Sequence, residues 1–473
     1  MISLRKVNAF TKLVRFSNIQ SSSRNYCSAL FISGNKAFVT FSYLCPYLDF
    51  DSRFNDLEKL KKELFLRGLK INADDLKVTW EFYKRLERDR WTLENRRIEF
   101  HETISNLMKK EERTQKDEEE LIALKAQIKI LKDDLKIIKE SIWDVEETVV
   151  IRALKLPNIL DERTPEEKSV ILKIVGEPVD ILPESRKNHL DIGNNFGVLE
   201  YINPLQYYLC NEAALFELAT FTFCGEILSK DAIQIAGSDF CRSLVVEGSG
   251  LSYNDPNESF ILSSEADSVK NSLSRLHLVG GASLMSFLSW HAKQIIERKN
   301  VPLRYFTIGK QYTPMPKNLQ SMGLFTVCQS SSVHIFSIIP EMKSEKYKLE
   351  FDSIMQKAIE IYDKLGIHYR VVERSASELR SWESYKVSFE LWSSFHQQYV
   401  EVGFISAYGD FISKRLMIAS NDASCRNQTF PGIISGMIVS VPRLLACLLE
   451  QNPDKLEIPL IIQSYIERDF SIV

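Results

Sequence analysis

Apolar positions repeat every three and four residues over two long stretches of the chain. In the first, Tyr83, Leu86, Arg90, Leu93, Arg97, Phe100, Ile104 and Leu107 form a seam with two arginines set into it. In the second, Leu121, Leu124, Ile128, Leu131, Leu135, Ile138, Ile142, Val145 and Val149 step 3, 4, 3, 4 without interruption. A stripe of that period lies along one face of a helix, and the natural cover for the second stripe is the first helix folded back on it. The highly charged run 111–120 separates them and predicts the break. Each helix would be roughly 35 to 45 residues, or about 50 to 65 Å at 1.5 Å per residue, which is an arm. A shorter helix over 54–66 precedes it, closed by Gly68, and Asn72 reads as the N-cap of the first arm helix, with Asp74 and Asp75 in its first turn.

The arm, 50–156, ends at Pro157, which cannot continue a helix, and Pro165 continues the linker. Over 157–473 the pattern becomes mixed. Helices are predicted over 209–228, 283–298, 345–365 and 443–450, and strands over 232–236, 260–262, 368–373, 386–392, 399–405 and 416–419, with an extended tail at the end. Adjacent strands without βαβ alternation favour an α+β domain on an antiparallel sheet. The stretch 303–339 reads as two long antiparallel strands joined by a wide loop holding Pro314, Pro316, Asn318 and Gly323. No Asp or Glu occurs between Glu297 and Glu341, so this strand pair carries no carboxylate for acid or base chemistry.

Charge and composition narrow the picture further. A formal charge of -3 argues against wholesale nucleic-acid binding and leaves room for a local basic face. On the arm, Arg96, Lys109, Lys110, Arg113, Lys125, Lys129 and Lys132 are candidates for an RNA backbone contact, although such faces are commonly just solvated. The eight cysteines include no C-x-x-C and the seven histidines no H-x-x-x-H, so no metal site or disulfide framework is expected, and no apolar run is long enough for a membrane span. Nucleotide-binding glycine motifs and the G-x-S-x-G elbow are absent. The first 48 residues carry Arg5, Lys6, Lys12, Arg15, Arg24 and Lys36, many serines and no carboxylate before Asp49, the composition of a mitochondrial presequence. A leader over 1–28, cut near 24–28, and a matrix location are the expectations.

A helical arm followed by an antiparallel-sheet domain resembles the seryl-tRNA synthetases, a class II aminoacyl-tRNA synthetase family, over nearly the whole chain after the leader. The signposts are the helix start at 57–76, Leu156-Pro157-Asn158 at the base of the arm, Val246-Glu247-Gly248-Ser249-Gly250, the run 399–416, and 435–452 with Ile458-Pro459-Leu460 after it. The resemblance implies a class II synthetase-like sheet domain with ATP and serine held on the 303–339 strand pair.

The residues that would hold them are largely replaced. Where the family has a Thr-x-Glu for the amino group, this chain has Ser263-Ser264-Glu265, nearly kept. The Phe-Arg-x-Glu that meets α-phosphate and adenine falls on Ile308-Gly309-Lys310-Gln311, so Gly309 and Gln311 stand for both charges. Arg-x-His-Gln-Phe falls on 326–330, where Thr326 replaces the phosphate-binding arginine and Ser330 the stacking ring. His334 stands for the serine-binding Glu. Glu401 matches a magnesium-binding Glu, with Gly403 and Phe404 in place of two serines. Ser435-Gly436-Met437 replaces Asn-Gly-Ser, and Arg443 matches the last arginine. The motif 1 proline is replaced by Ser238 or a neighbour. A charge-assisted contact contributes about 1.5 to 3 kcal/mol, and losing a transition-state donor costs on the order of 10²- to 10³-fold in rate. The expectation is a protein with no catalytic residues, no cofactor and no metal. Simpler roles predicted for the survivors are that Arg443 pairs with Glu401 or Glu265, that His334 is a satisfied core histidine, and that Phe404 and Met437 fill the vacated volume. Because the family's enzymes are dimers, the resemblance further implies a binding subunit, as a heterodimer with the authentic mitochondrial seryl-tRNA synthetase or as a homodimer, with tRNA or another RNA on the arm. A diverged active serine-tRNA ligase and a coiled-coil scaffold are the alternatives.

Overall fold

A computed structural model of the chain describes residues 28–31, 46–110, 114–179, 181–262, 275–316, 319–340, 344–421 and 429–470. The expected leader up to residue 27, Arg113, Ser263 and Glu265 therefore lie outside the described residues.

The arm is a pair of helices, Ala73–Met108 and Gln115–Leu154. The Asn72 side chain accepts from the Asp75 N–H, as the sequence predicts. The charged run 111–120 is not a break throughout, because Thr114 and Asp117 form a capping box that starts the second helix at Gln115. Asp117 takes the Thr114 N–H at 2.9 Å and Lys110 Nζ at 2.7 Å, which holds its carboxyl below the usual range. Packing along the seam is divided. An apolar cluster at the root joins Leu76, Trp80, Tyr83 and Leu86 to Ile142, Val149 and Val150, and a small one at the tip joins Leu107 to Leu121 and Leu124. Arg90 and Arg97 occupy the seam between them, half-buried.

Pro157 stops the second helix, and Asn158 ties the root to the second domain. Its amide donates to the carbonyls of Trp382 at 3.0 Å and Tyr408 at 2.7 Å. Arg67, just past the helix Leu57–Leu66, donates to the carbonyls of Asn158, Arg380 and Glu383.

The second domain holds strands β1 (Val170–Val175), β2 (Leu199–Asn203), β3 (Gln206–Leu209), β4 (Ile233–Gln234), β5 (Phe240–Arg242), β6 (Phe260–Leu262), β7 (Leu276–Leu278), β8 (Ile295–Glu297), β9 (Leu303–Tyr312), β10 (Gln329–Ile339), β11 (Tyr369–Glu373), β12 (Tyr385–Ser393), β13 (Gln398–Gly409), β14 (Ala419–Asn421) and β15 (Gly432–Ser440). Eight form one sheet in the order β1-β11-β12-β13-β15-β10-β9-β4, antiparallel except for the short β4. This is the expected α+β architecture. The helices Asn211–Leu228, Glu345–Leu365 and Val441–Gln451 bury one face of the sheet in the largest core cluster.

Three predicted elements are corrected. The helix expected over 283–298 ends at His291, because Lys293 takes a left-handed turn (φ 64°) and β8 then pairs in parallel with β14. The strand expected over 416–419 loses its first residue to the helix Phe411–Leu416, Met417 takes a left-handed turn (φ 52°), and the strand β14 starts only at Ala419. The tail expected to be extended contains the helix Leu460–Phe470, whose Ile462 is fully buried in the main core.

Candidate functional site

The 303–339 stretch forms the hairpin it predicts. β9 and β10 pair antiparallel, with Gln311 opposite Ser330, Gly309 opposite Ser332 and Thr307 opposite His334. Side chains alternate between faces, so these residues share one face, while Arg304, Lys310 and Ser331 take the other. The cations on that second face are satisfied by neighbouring helices. Arg304 makes two bonds to Glu350 at 2.7 and 2.5 Å, and Lys310 reaches Glu217 at 3.4 Å. Carboxylates missing from the hairpin are thus supplied from outside it, on the side away from the cavity.

The first face borders a cavity of about 400 Å³. Gln311, Thr326, Ser330, His334, Glu401, Phe404, Met437 and Arg443 all line it, so eight positions singled out in the sequence converge on one site. Gly309 sits on the same strand face with open space before it: a Cβ there would meet only Ala282 Cβ, at 3.9 Å. Phe404 and Met437 do not close the site, contrary to expectation, because each covers one wall and the cavity remains. Lys386 Nζ lies 4.5 Å from the centre of the Phe404 ring, a cation–π contact.

His334 is 2% exposed. The Ser435 hydroxyl donates to the Ile335 carbonyl at 2.8 Å, so its oxygen accepts from His334 Nε2 at 2.9 Å and fixes that tautomer. Burial lowers the imidazole to about 3, and it is neutral. Nδ1 has no partner among the described residues, so the histidine is in the core but only half satisfied. Ser435 is the link that holds it. Gly436 is required by packing, since a Cβ would stand 2.1 Å from the Phe404 carbonyl oxygen. A serine at Gly403 is similarly excluded, by the Ile438 carbonyl oxygen at 2.2 Å.

Among the described residues, which do not include Glu265, Arg443 does not bond a carboxylate, so the expected pairing with Glu401 is corrected. Its guanidinium donates to the Phe325 carbonyl at 3.1 Å and the Glu401 main-chain carbonyl at 2.8 Å, and burial lowers its pKa. The Glu401 carboxylate is held instead by Lys386 Nζ at 2.9 Å and the Ser388 hydroxyl at 2.5 Å. Burial works against its ionised form, but these partners bring it down to about 2. Lys386 is the functional residue that sequence reasoning missed. Its signal was the alternation of Lys386 and Ser388 on a strand beside Glu401. Among the described residues no group of three or more His, Cys, Asp or Glu is placed to hold a metal, and no helix is long and apolar enough to cross a membrane.

The basic arm residues that the structure describes lie on the surface of the arm. Arg96, Lys109, Lys110, Lys125, Lys129 and Lys132 are all exposed. Lys125, Lys129, Lys132 and Lys136 fall on one helix face, and none has a carboxylate partner among the described residues, whereas Lys110 is paired with Asp117.

An arm rooted by its Asn158, a mostly antiparallel sheet, and a cavity against its central hairpin define a class II synthetase architecture. Residues 272–452 match the tRNA synthetase class II core domain (G, H, P, S and T). The chain is similar to seryl-tRNA synthetases and has their fold. It is 28% identical over 459 residues to the serine--tRNA synthetase-like protein Slimp of Drosophila melanogaster, covering 96% of this chain and 94% of that protein. It is 26% identical to the mitochondrial serine--tRNA ligase of Mus musculus, covering 90% and 84%. The seryl-tRNA synthetase of Pyrococcus horikoshii, solved with ATP, superposes with a TM-score of 0.75 at 20% identity, over 88% of this chain and 98% of that one.

Proposed function

We propose that the chain is a mitochondrial seryl-tRNA synthetase relative that does not make seryl-adenylate and works as a binding subunit. The observation that carries this is the cavity face of β9 and β10, where Gly309, Gln311, Ser330 and a neutral His334 stand and no charge is presented, with the uncharged Thr326 beside it in the turn Gly323–Thr326. Of the charged residues at the family's motif positions, Arg443 is spent on main-chain carbonyls and Glu401 on Lys386. A triphosphate entering this site would meet no cation on the hairpin, and of the cations on the other walls Lys386 is paired with Glu401 and Arg443 is bonded to main-chain carbonyls, which leaves Arg380 to offset the lost hydration. ATP-dependent pyrophosphate exchange with serine is the test, and exchange clearly above background would return the protein to the active ligases.

The matrix is the proposed location, with the mitochondrial ligase relatives and the basic, carboxylate-free leader in support. The proposed partner is the authentic mitochondrial seryl-tRNA synthetase, with a homodimer as the other assembly. Phe240, Leu262 and Leu276, exposed on one face of the small sheet β5-β7-β6, support an interface there. Recovery of the native complex from mitochondria, with its mass and subunits identified, separates the two assemblies, and a lone monomer would remove both. The unpaired lysines of the arm support an RNA contact. A scaffold reading draws on Ile122, Ile130 and Ile137, exposed at 69, 61 and 45% on the same arm helix. It predicts that reversing Lys109, Lys110 and Arg113 leaves RNA crosslinking unchanged.

A further inference from the structure

Four residues near the end of the basic leader are built into the fold. Ser28 is 3% exposed and Leu30 1%. Leu30, with Ala29 against it, packs in the same cluster as Val245, Val246, Ile412 and Leu416, while Phe31 packs into the root cluster of the arm. The backbone is held as firmly as the side chains. One oxygen of Glu247 accepts from the N–H of Ala29 and, at 2.9 Å, from that of Leu30, and the Ser28 hydroxyl also bonds this carboxylate. Ser28 Oγ accepts in turn from the N–H of Leu30 at 3.1 Å and Phe31 at 3.0 Å.

The place where this segment sits matters. Leu154, the last residue of the long arm helix, packs against both clusters that the segment touches. Its carbonyl accepts from Arg415 at 3.1 Å, and Arg415 and Glu247 are close enough for their charges to interact. Glu247 belongs to the short helix Ser243–Gly248, which runs on into Ser249 and Leu251 on the cavity wall. Without residues 28–31, a partly buried carboxylate would lose its N–H and hydroxyl donors and the volume of Leu30 would be empty, and each of these is destabilising.

We propose that residues 28–31 are a peg retained in the mature protein, seated on Glu247, which fastens the root of the arm to the sheet domain. Any removal of the leader must then stop before Ser28. This boundary rests on the leader reading, but the peg itself does not.

Two measurements separate them. Amino-terminal sequencing of the chain recovered from mitochondria should find a first residue at or before Ser28. A start beyond Ser28 would overturn the peg, while a start at Met1 would keep it and remove the leader. Hydrogen exchange on the full chain should show peptides 149–156 and 243–249 exchanging roughly tenfold faster in Leu30→Asp, and faster also in the shape-conserving Glu247→Gln. Peptide 329–339, in the centre of the sheet, should be unchanged, which certifies that the variants fold. Unaltered exchange at 149–156 and 243–249 in both variants would sink the idea.

Discussion

His334 stays neutral beneath the cavity because burial lowers its pKa to about 3, against an ordinary value near 6.5. Between those values the folded state binds fewer protons than the unfolded chain, so stability is complete above about pH 6.5 and falls as the pH drops toward 3. The slope from one such group approaches about 1.4 kcal/mol per pH unit. Urea unfolding at pH 7.5, 6 and 5 should therefore show a steeper loss in the native protein than in His334→Phe, which has no proton to exclude. A second expectation concerns Gly309, where the space for a side chain is open. The pair Gly309→Arg and Gln311→Glu should fold and raise ATP affinity by on the order of tenfold, read by calorimetry, because one charge-assisted contact is worth about 1.5 to 3 kcal/mol. Catalysis should not follow, since Gly403 has no room for a serine. At this scale eight of the positions singled out in the sequence gather at one cavity, and several of their bonds differ from those expected. Arg443 and Glu401 are adjacent, as their motif positions suggest. That the arginine takes the main-chain oxygen and leaves the carboxylate to Lys386 depends on the register of β12 against β13, which no local pattern encodes.

Among the elements, the arm was the most legible, because a 3, 4 repeat over long stretches has no other structural meaning. Of the strands of two or three residues, β4 and β6 were legible, while β5, β7 and β8 were not, being defined by partners distant in sequence, such as β8 on β14. The tail helix Leu460–Phe470 went unread because its apolar residues serve a core far upstream in the chain. At the arm tip, Thr114→Ala removes the capping box and should cost about 1 kcal/mol, seen as faster hydrogen exchange over 114–120 with the root unaffected. On the basic face, reversing Lys125, Lys129 and Lys132 to Glu should weaken RNA crosslinking and reduce its salt dependence more than Lys110→Glu does. The reason is that Lys110 is already neutralised by Asp117 and has little counterion to release.

Across the whole molecule, Arg67 ties the arm root to a wall of the cavity, alongside Asn158, whose amide reaches the carbonyls of the cavity residues Trp382 and Tyr408. Arg67 is 7% exposed, and burial lowers its pKa to about 10. Its guanidinium spans the carbonyls of Asn158 at the arm root and of Arg380 and Glu383, both of which line the cavity. Arg67→Ala would leave the Asn158 and Glu383 carbonyls without this donor, while the Arg380 carbonyl keeps the Glu383 N–H at 3.0 Å, and the expected loss of unfolding free energy is about 3 kcal/mol. Arg67→Lys should recover part of it at most, because a single ammonium cannot reproduce a planar fork. Both variants should speed hydrogen exchange at 378–384 together with 156–160, since the same group holds the two segments. Faster exchange on one side alone would mean that arm and cavity are stabilised separately, and that a load on the arm has no route to the cavity through Arg67.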